Sequence, residues 1–318
     1  MMKSRADLPA VDRPVVPKVP AWARPHGDVQ RDVDAGYLAG AALNSLDNLV
    51  RSSPDWAGVW RHRLALKSAS AALRLLGRRE EEGALRDAHF FRAAADDPGP
   101  AGNLLLAWRR LASRSTGLDE SAVRPVAEHL ELKWDDALSE VLGNADDPAA
   151  SSRPAPLLAA ELAAATYRAR PDAELLAFWL ADALLAKKLR WPLPVPLLMG
   201  QVNSSSFKTG EGRRRVRPGG EGWGRAVLLA YATAAAEACD LGVELEGRAA
   251  HLVSVAPRLR AKGAAEVVKR LLEDDAVASS RSGARLTDRS ARRLFERLGD
   301  LGAVRELSGR SSFRLYGL

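Results

Sequence analysis

The side chains best suited to chemistry form a row of guanidinium groups near the end of the chain. Thr287 is followed by Arg289, Ser290, Arg292, Arg293 and Arg297, and further on come Arg305, Arg310 and Arg314. Arginine keeps its charge at any ordinary pH, so it serves poorly as an acid or base and well as a fork for phosphates and base edges. The chemistry expected of these nine residues is recognition of a polyanion. Their neighbourhood agrees: Pro257–Leu318 holds 14 Lys/Arg against 8 Asp/Glu. A second basic knot, Phe207–Arg225, has six Lys/Arg against Glu211 and Glu221. The net charge of the whole chain is only +7, so the remainder is mildly acidic. A basic module on an acidic body points to an anionic partner more strongly than total charge does.

Those arginines need elements to carry them. Ala264–Leu272 places Val267, Val268, Leu271 and Leu272 on one helical face. Thr287 is a good N-cap, and Asp288–Gly299 repeats Ala291, Leu294, Phe295 and Leu298 at the spacing of one buried stripe, with the arginines opposite. Gly302 ends that helix. Ala303–Leu307 and Ser311–Tyr316 read as strands around Ser308-Gly309-Arg310, with Val304, Phe313 and Leu315 facing inward. A helix, a turn, a basic helix and a hairpin, in that order, predict a winged helix-turn-helix over 257–318, with a short positioning helix between Asp274 and Arg285. In that fold Arg289, Ser290, Arg292 and Arg293 enter the major groove, while Arg305, Arg310 and Arg314 reach backbone or minor groove.

The rest of the 318 residues is rich in Ala and Leu, which favours helices. The fold class predicted is mainly α: a helical-bundle body followed by the C-terminal module. Residues 1–30 carry five prolines and read as a tail. Residues 31–150 form a helical domain and 151–255 a second helical block, with a mobile Gly/Ser/Arg loop at 201–222. Trp223–Asp240 and Val243–Val255 read as two helices. Asp182 and Glu161 sit in apolar helices; a structural ion pair with an arginine such as Arg61 or Arg63 is the expected reading of either, and a small-molecule pocket inside the helical body is the alternative.

Catalytic chemistry finds little support. The five histidines show no i, i+3 or i, i+4 pair, and GxxxxGK[ST], GxGxxG and GxSxG motifs are missing. Paired acids at 96–97, 135–136, 146–147 and 274–275 fall at turns or helix starts, where capping explains them. No catalytic, cofactor or metal residue is assigned. The single cysteine, Cys239, reads as core. No apolar run approaches the roughly 18 uncharged residues of a membrane span. Lys3 and Arg5 precede no apolar segment of the secretory kind, so the expected compartment is the cytoplasm, without a membrane partner.

Four segments carry a resemblance to a known family: DWAGVWRHRLAL (55–66), DPGPAGNLLLAW (97–108), PDAELLAFWLADALLAKKLRWPLPVPLL (171–198) and LTDRSARRLFERLGDLGAVRELSGRSSFRLYGL (286–318). The chain resembles, over nearly its whole length, an uncharacterised bacterial family catalogued as domain of unknown function 1403, which implies no activity. From Ala159 onward it is also similar to the C-terminal half of Fic-type proteins that carry a winged helix. Arg305-Glu306-Leu307-Ser308-Gly309-Arg310 matches their R-E-x-[ST]-G-R wing. Their catalytic HPFxxGNGRxxR would fall near Arg170–Glu174, where only Pro171 fits. That likeness implies a degenerate scaffold lacking the nucleotidyl-transfer site.

The function expected is therefore binding of double-stranded DNA, in a regulatory role, by a protein with a non-catalytic body. The alternatives are an atypical nucleotidyl-transfer enzyme and a protein-interaction module, with a homodimer as the partner to test.

Overall fold

Unbranched side chains at helical spacing dominate this sequence, and the computed structural model of the protein is accordingly mainly α. It describes residues 16–91, 97–115, 117–145, 152–209, 214–261, 263–279, 286–309 and 314–318. The helices are α1 (Asp32–Ser52), α2 (Ala57–Leu75), α3 (Glu82–Phe90), α4 (Gly99–Ser113), α5 (Glu120–His129), α6 (Asp136–Gly143), α7 (Ala155–Ala169), α8 (Glu174–Leu189), α9 (Trp223–Val255), α10 (Ala264–Glu273) and α11 (Asp288–Asp300). Lys208–Thr209 (β1) and Arg214–Arg215 (β2) pair antiparallel. Val277–Ala278 (β3), Arg305–Glu306 (β4) and Leu315–Gly317 (β5) form a second antiparallel sheet in the order β3-β5-β4.

The body is built from helix pairs: α1 lies along α9, α7 along α8, and α2 along α4. Tryptophans join them. The Trp60 indole donates to Ala238 O (2.8 Å), Trp179 to Ala107 O (3.0 Å) and Trp223 to Ala160 O (2.8 Å). Each bond satisfies a buried N–H while its ring fills the core, so burial is not offset by an orphaned donor. Phe178, Phe207 and Trp223 meet with ring centroids 5.5–5.8 Å apart. Phe207 thereby anchors the described part of 201–222, the stretch whose composition suggests a mobile loop.

Three features differ from the sequence expectation. The two helices expected over 223–255 are one, because Leu241–Gly242 continues the helix. Gly242 is there for space: a Cβ would lie 2.9 Å from Leu49 Cδ2. By length and composition α9 and its extension to Arg258 could cross a membrane, but 67% of its apolar window is buried inside the protein, as in a core helix. In the proline-rich N-terminal stretch, Val19 and Ala23 are buried and Arg24 pairs with Asp240 at 2.7 Å, while Trp22 stays 61% exposed.

Asp182 also departs from expectation. Leu175–Ala186 of α8 is buried all round, so Asp182 meets no arginine. It accepts instead from Leu197 N (2.8 Å) and Leu198 N (3.2 Å). Those are the first amides after Pro192, Pro194 and Pro196, which have no N–H to donate. Glu161 pairs with Arg153 at the surface, not with a core arginine.

The C-terminal elements are fastened to the body by two adjacent carboxylates. Asp274, at the C-cap of α10, takes Arg109 of α4 at 2.8 and 2.9 Å and lies 3.3 Å from His62 of α2. Asp275 is buried and takes Arg63 of α2 and Arg86 of α3, each at 2.6 Å. Burial opposes the Asp274 charge, but Arg109 and His62 overcome it and hold the carboxyl well below the usual range. Gly58 allows the close seating, since a Cβ there would lie 2.6 Å from Glu273 O. This pair of acids is an inter-element clamp and not the cap that the sequence suggested.

Two stability predictions result. Asp275→Ala strands two half-buried arginines and should lower the unfolding free energy by about 3–5 kcal/mol, read from urea melts. Asp34→Ala, which breaks an exposed pair with Arg31, should leave the midpoint unchanged. The second concerns Asp182, whose carboxyl burial pushes up to about 7. Between the ordinary value of about 3.9 and that point the folded state binds the extra proton, so stability falls as pH rises through this window and is flat above it. Asp182→Asn can still accept from both amides, and the difference between its melts and the parent's should grow across that window. A pH-independent difference would refute the assignment.

Candidate nucleic-acid interface

Helix α11 is oriented by a strict division of its faces. Thr287 accepts from Ser290 N (3.3 Å), closing the N-terminus. Ala291, Leu294, Phe295 and Leu298 are buried, and Phe295 stacks on Tyr316 of β5 with centroids 4.7 Å apart and planes at 17°. Gly302, at φ +66°, ends the helix in a left-handed turn, with Ala303 N donating to Leu298 O at 2.9 Å. His251 of α9 donates through Nε2 to Leu301 O at 2.8 Å, tying that end to the body. With the apolar stripe fixed inward, the rest of the helix must face outward.

Arg289, Arg292, Arg293 and Arg297 all lie on that outer surface and are exposed. Among the described residues none of the four makes a side-chain hydrogen bond or ion pair. Arg289, Arg293 and Arg297 follow one another at i, i+4 and i+8, a line of about 12 Å on an α-helix. The positive end of the helix dipole lies at Ser290 and adds to the attraction for anions. Asp288 and Glu296 share the exposed surface, so the field is basic but mixed.

The other sequence-selected residues are placed differently. Arg305 reaches Leu318 O (3.3 Å), which also accepts from Arg63 (3.1 Å). Burial, then the neighbouring Arg248 and Arg63, lower its pKa. Arg314 lies 3.6 Å from Glu306 across the strands, and its bond to Tyr316 raises its pKa. Both arginines therefore have partners within the sheet. Arg310 and Phe313 lie outside the described residues, as does 280–285. Between α10 and α11, where a positioning helix was expected, the described part is β3, a strand that sequence reasoning missed. Arg258 and Arg260 were also missed: with Arg293, Arg297 and Ser290 they line a cleft of about 480 Å³.

The charges of the segment at 170–174 are paired within the protein. Around 170–174, Arg170 binds Asp172 (2.7 and 2.9 Å) and Asp135. Glu174 takes both guanidinium nitrogens of Arg215 at 2.6 and 2.9 Å. A cavity of about 570 Å³ adjoins this segment, and its arginines are engaged, Arg78 by Glu80, Arg215 by Glu174 and Arg217 by Tyr167. Among the described residues no group of three His, Cys, Asp or Glu side chains gathers as a metal site. Cys239 is buried, as expected, and burial pushes its thiol up to about 12.

Comparison with known families gives one match. Residues 8–318 fit the model described as Protein of unknown function (DUF1403). No curated protein matches the chain.

Proposed function

Since the chain belongs to the DUF1403 family, a membership that brings no chemistry with it, we propose from its geometry that it binds double-stranded DNA through residues 257–318, with the helical body as a non-catalytic, regulatory platform. The observation that carries this reading is the outer face of α11. Four arginines stand there exposed and, among the described residues, without side-chain partners, on a helix whose opposite stripe is locked into the core. A helix of that kind is what a major groove admits.

The order of elements supports the same reading. A winged helix joins a short strand from between its helices to the hairpin sheet and sets a positioning helix before the recognition helix, a place that here falls partly at 280–285, outside the described residues. Here α10, β3, α11, β4 and β5 follow one another, with β5 central in the sheet. We assign Arg289, Ser290, Arg292 and Arg293 to the groove and Arg297 to the flanking phosphates. Arg305 and Arg314 then hold the sheet together, leaving Arg310 as the wing's contact.

Fluorescence anisotropy on random duplexes tests the proposal. The parent should bind with affinity that falls steeply with salt. Replacing both Arg292 and Arg293 with alanine should weaken binding and flatten the log–log salt slope by about one for each lost phosphate contact. Equal binding by parent and variant across the salt series would reject the assignment.

A further inference from the structure

The cleft between residues 258–261 and α11 has an unusual lining. Four of its eight residues are arginines: Arg258 and Arg260 on one wall, Arg293 and Arg297 on the other. Ser290 adds a hydroxyl, and Leu259, Ala261 and Leu294 are apolar. Among the described residues no carboxylate lines it. Leu294 is buried, and Leu259 and Ala261 pack against the core, so the walls are positioned by the hydrophobic interior and not by the charges themselves.

Several arginines elsewhere in the protein are paired with carboxylates. Arg24 meets Asp240, Arg63 and Arg86 share Asp275, Arg109 meets Asp274, and Arg215 meets Glu174. Among the described residues, the four cleft arginines make no such pair. Like charges gathered without compensation repel and disfavour the folded state, unless an anion enters. Guanidinium forks match phosphoryl oxygens with two parallel donors, which a point charge cannot do.

We propose that this cleft is a binding site for a phosphoryl anion carrying several negative charges. The Arg258/Arg260 wall and the Arg293/Arg297 wall grip it from two sides, and the Ser290 hydroxyl donates to a further oxygen. The phosphoryl group belongs either to a small polyphosphorylated ligand or to a nucleic-acid backbone. The site stands on its own lining and survives if the duplex reading fails.

Calorimetric titration of sodium tripolyphosphate into the full chain, at about 0.15 M salt, tests it. The parent should bind at a single site. Arg258→Gln with Arg260→Gln should weaken binding by about tenfold or more, one lost bidentate contact being worth about that factor. Arg289→Gln with Arg292→Gln removes the same charge from α11 outside the cleft and should retain the parent affinity. No binding by the parent, or equal loss in both variants, would overturn the proposal, the second because it marks diffuse charge and not a site. Duplex anisotropy with the same proteins separates the sources. Weaker duplex binding by the Arg258/Arg260 variant supports a backbone phosphate in the cleft. Unchanged duplex binding beside lost tripolyphosphate supports a free phosphorylated ligand. A parent that binds tripolyphosphate but no duplex leaves the cleft standing and removes only the DNA reading.

Discussion

The geometry of the C-terminal third depends on one constraint: two consecutive carboxylates bind three helices of the body at once. Asp274 and Asp275 stand where α10 gives way to β3. Through Arg109, Arg63, Arg86 and His62 they reach α4, α2 and α3. A single ion pair could pivot. Two adjacent residues pulled toward different helices fix both position and direction of the chain leaving them. The strand that follows is therefore set at a defined angle, and β5 and β4 build upon it. Helix α11 inherits its orientation from that sheet through the Phe295–Tyr316 stack. The arginines on its far side are displayed at the end of this sequence of contacts.

The clamp and the display use the same residue type in opposite ways. Inside, arginine is neutralised by aspartate at 2.6–2.9 Å, and the removal of both ions from water is offset by paired, hydrogen-bonded geometry. On α11 and at 258–260 the guanidiniums keep contact with water, so no desolvation penalty is incurred before a partner arrives. Their potential is then available to a phosphate at a distance, and screening by salt sets how far it extends. Carboxylates meet arginines at several other places in the fold, exposed pairs such as Arg31–Asp34 and Arg51–Asp47 included. The lack of carboxylates in the cleft is thus a property of that location and does not reflect the composition, which supplies 40 Asp/Glu for 47 Lys/Arg.

Legibility in the sequence followed the range of the interactions. Helix α11 was readable because everything that makes it is local: the Thr287 cap, the stripe Ala291, Leu294, Phe295 and Leu298, and Gly302 at its end. The cap of α5 is local in the same way: Asp119 accepts from Ala122 N at 3.1 Å. The partners of Asp274 and Asp275 lie 165 to 212 residues away, and no local pattern announces them. Strand β3 is two residues long, too short for any period to register. Asp182 misled because a buried acid suggests a buried arginine. The deficit it fills is one of acceptors for the amides that follow three prolines. Gly242 misled because glycine inside a helix has two readings, a break or a close approach, and only the packing of Leu49 decides between them.

Arg258 and Arg260 show why a basic site can be half legible. Four of the arginines on α11 announce themselves by spacing on one amphipathic helix. The other wall of the cleft comes from the turn after α9, more than thirty residues earlier in the chain, and carries no periodicity of its own. Its position follows from two contacts already needed for stability. His251 holds the end of α11 against α9, and Leu259 packs against the core while lining the cleft with Leu294. The two basic segments are therefore brought together by the packing that seats α11, and any anion held between them draws on Arg293 and Arg297. Those same two side chains belong to the outer row of the helix. If both proposals hold and the cleft's occupant is a free ligand, it competes with a duplex for these two side chains, and each weakens the other by the same factor.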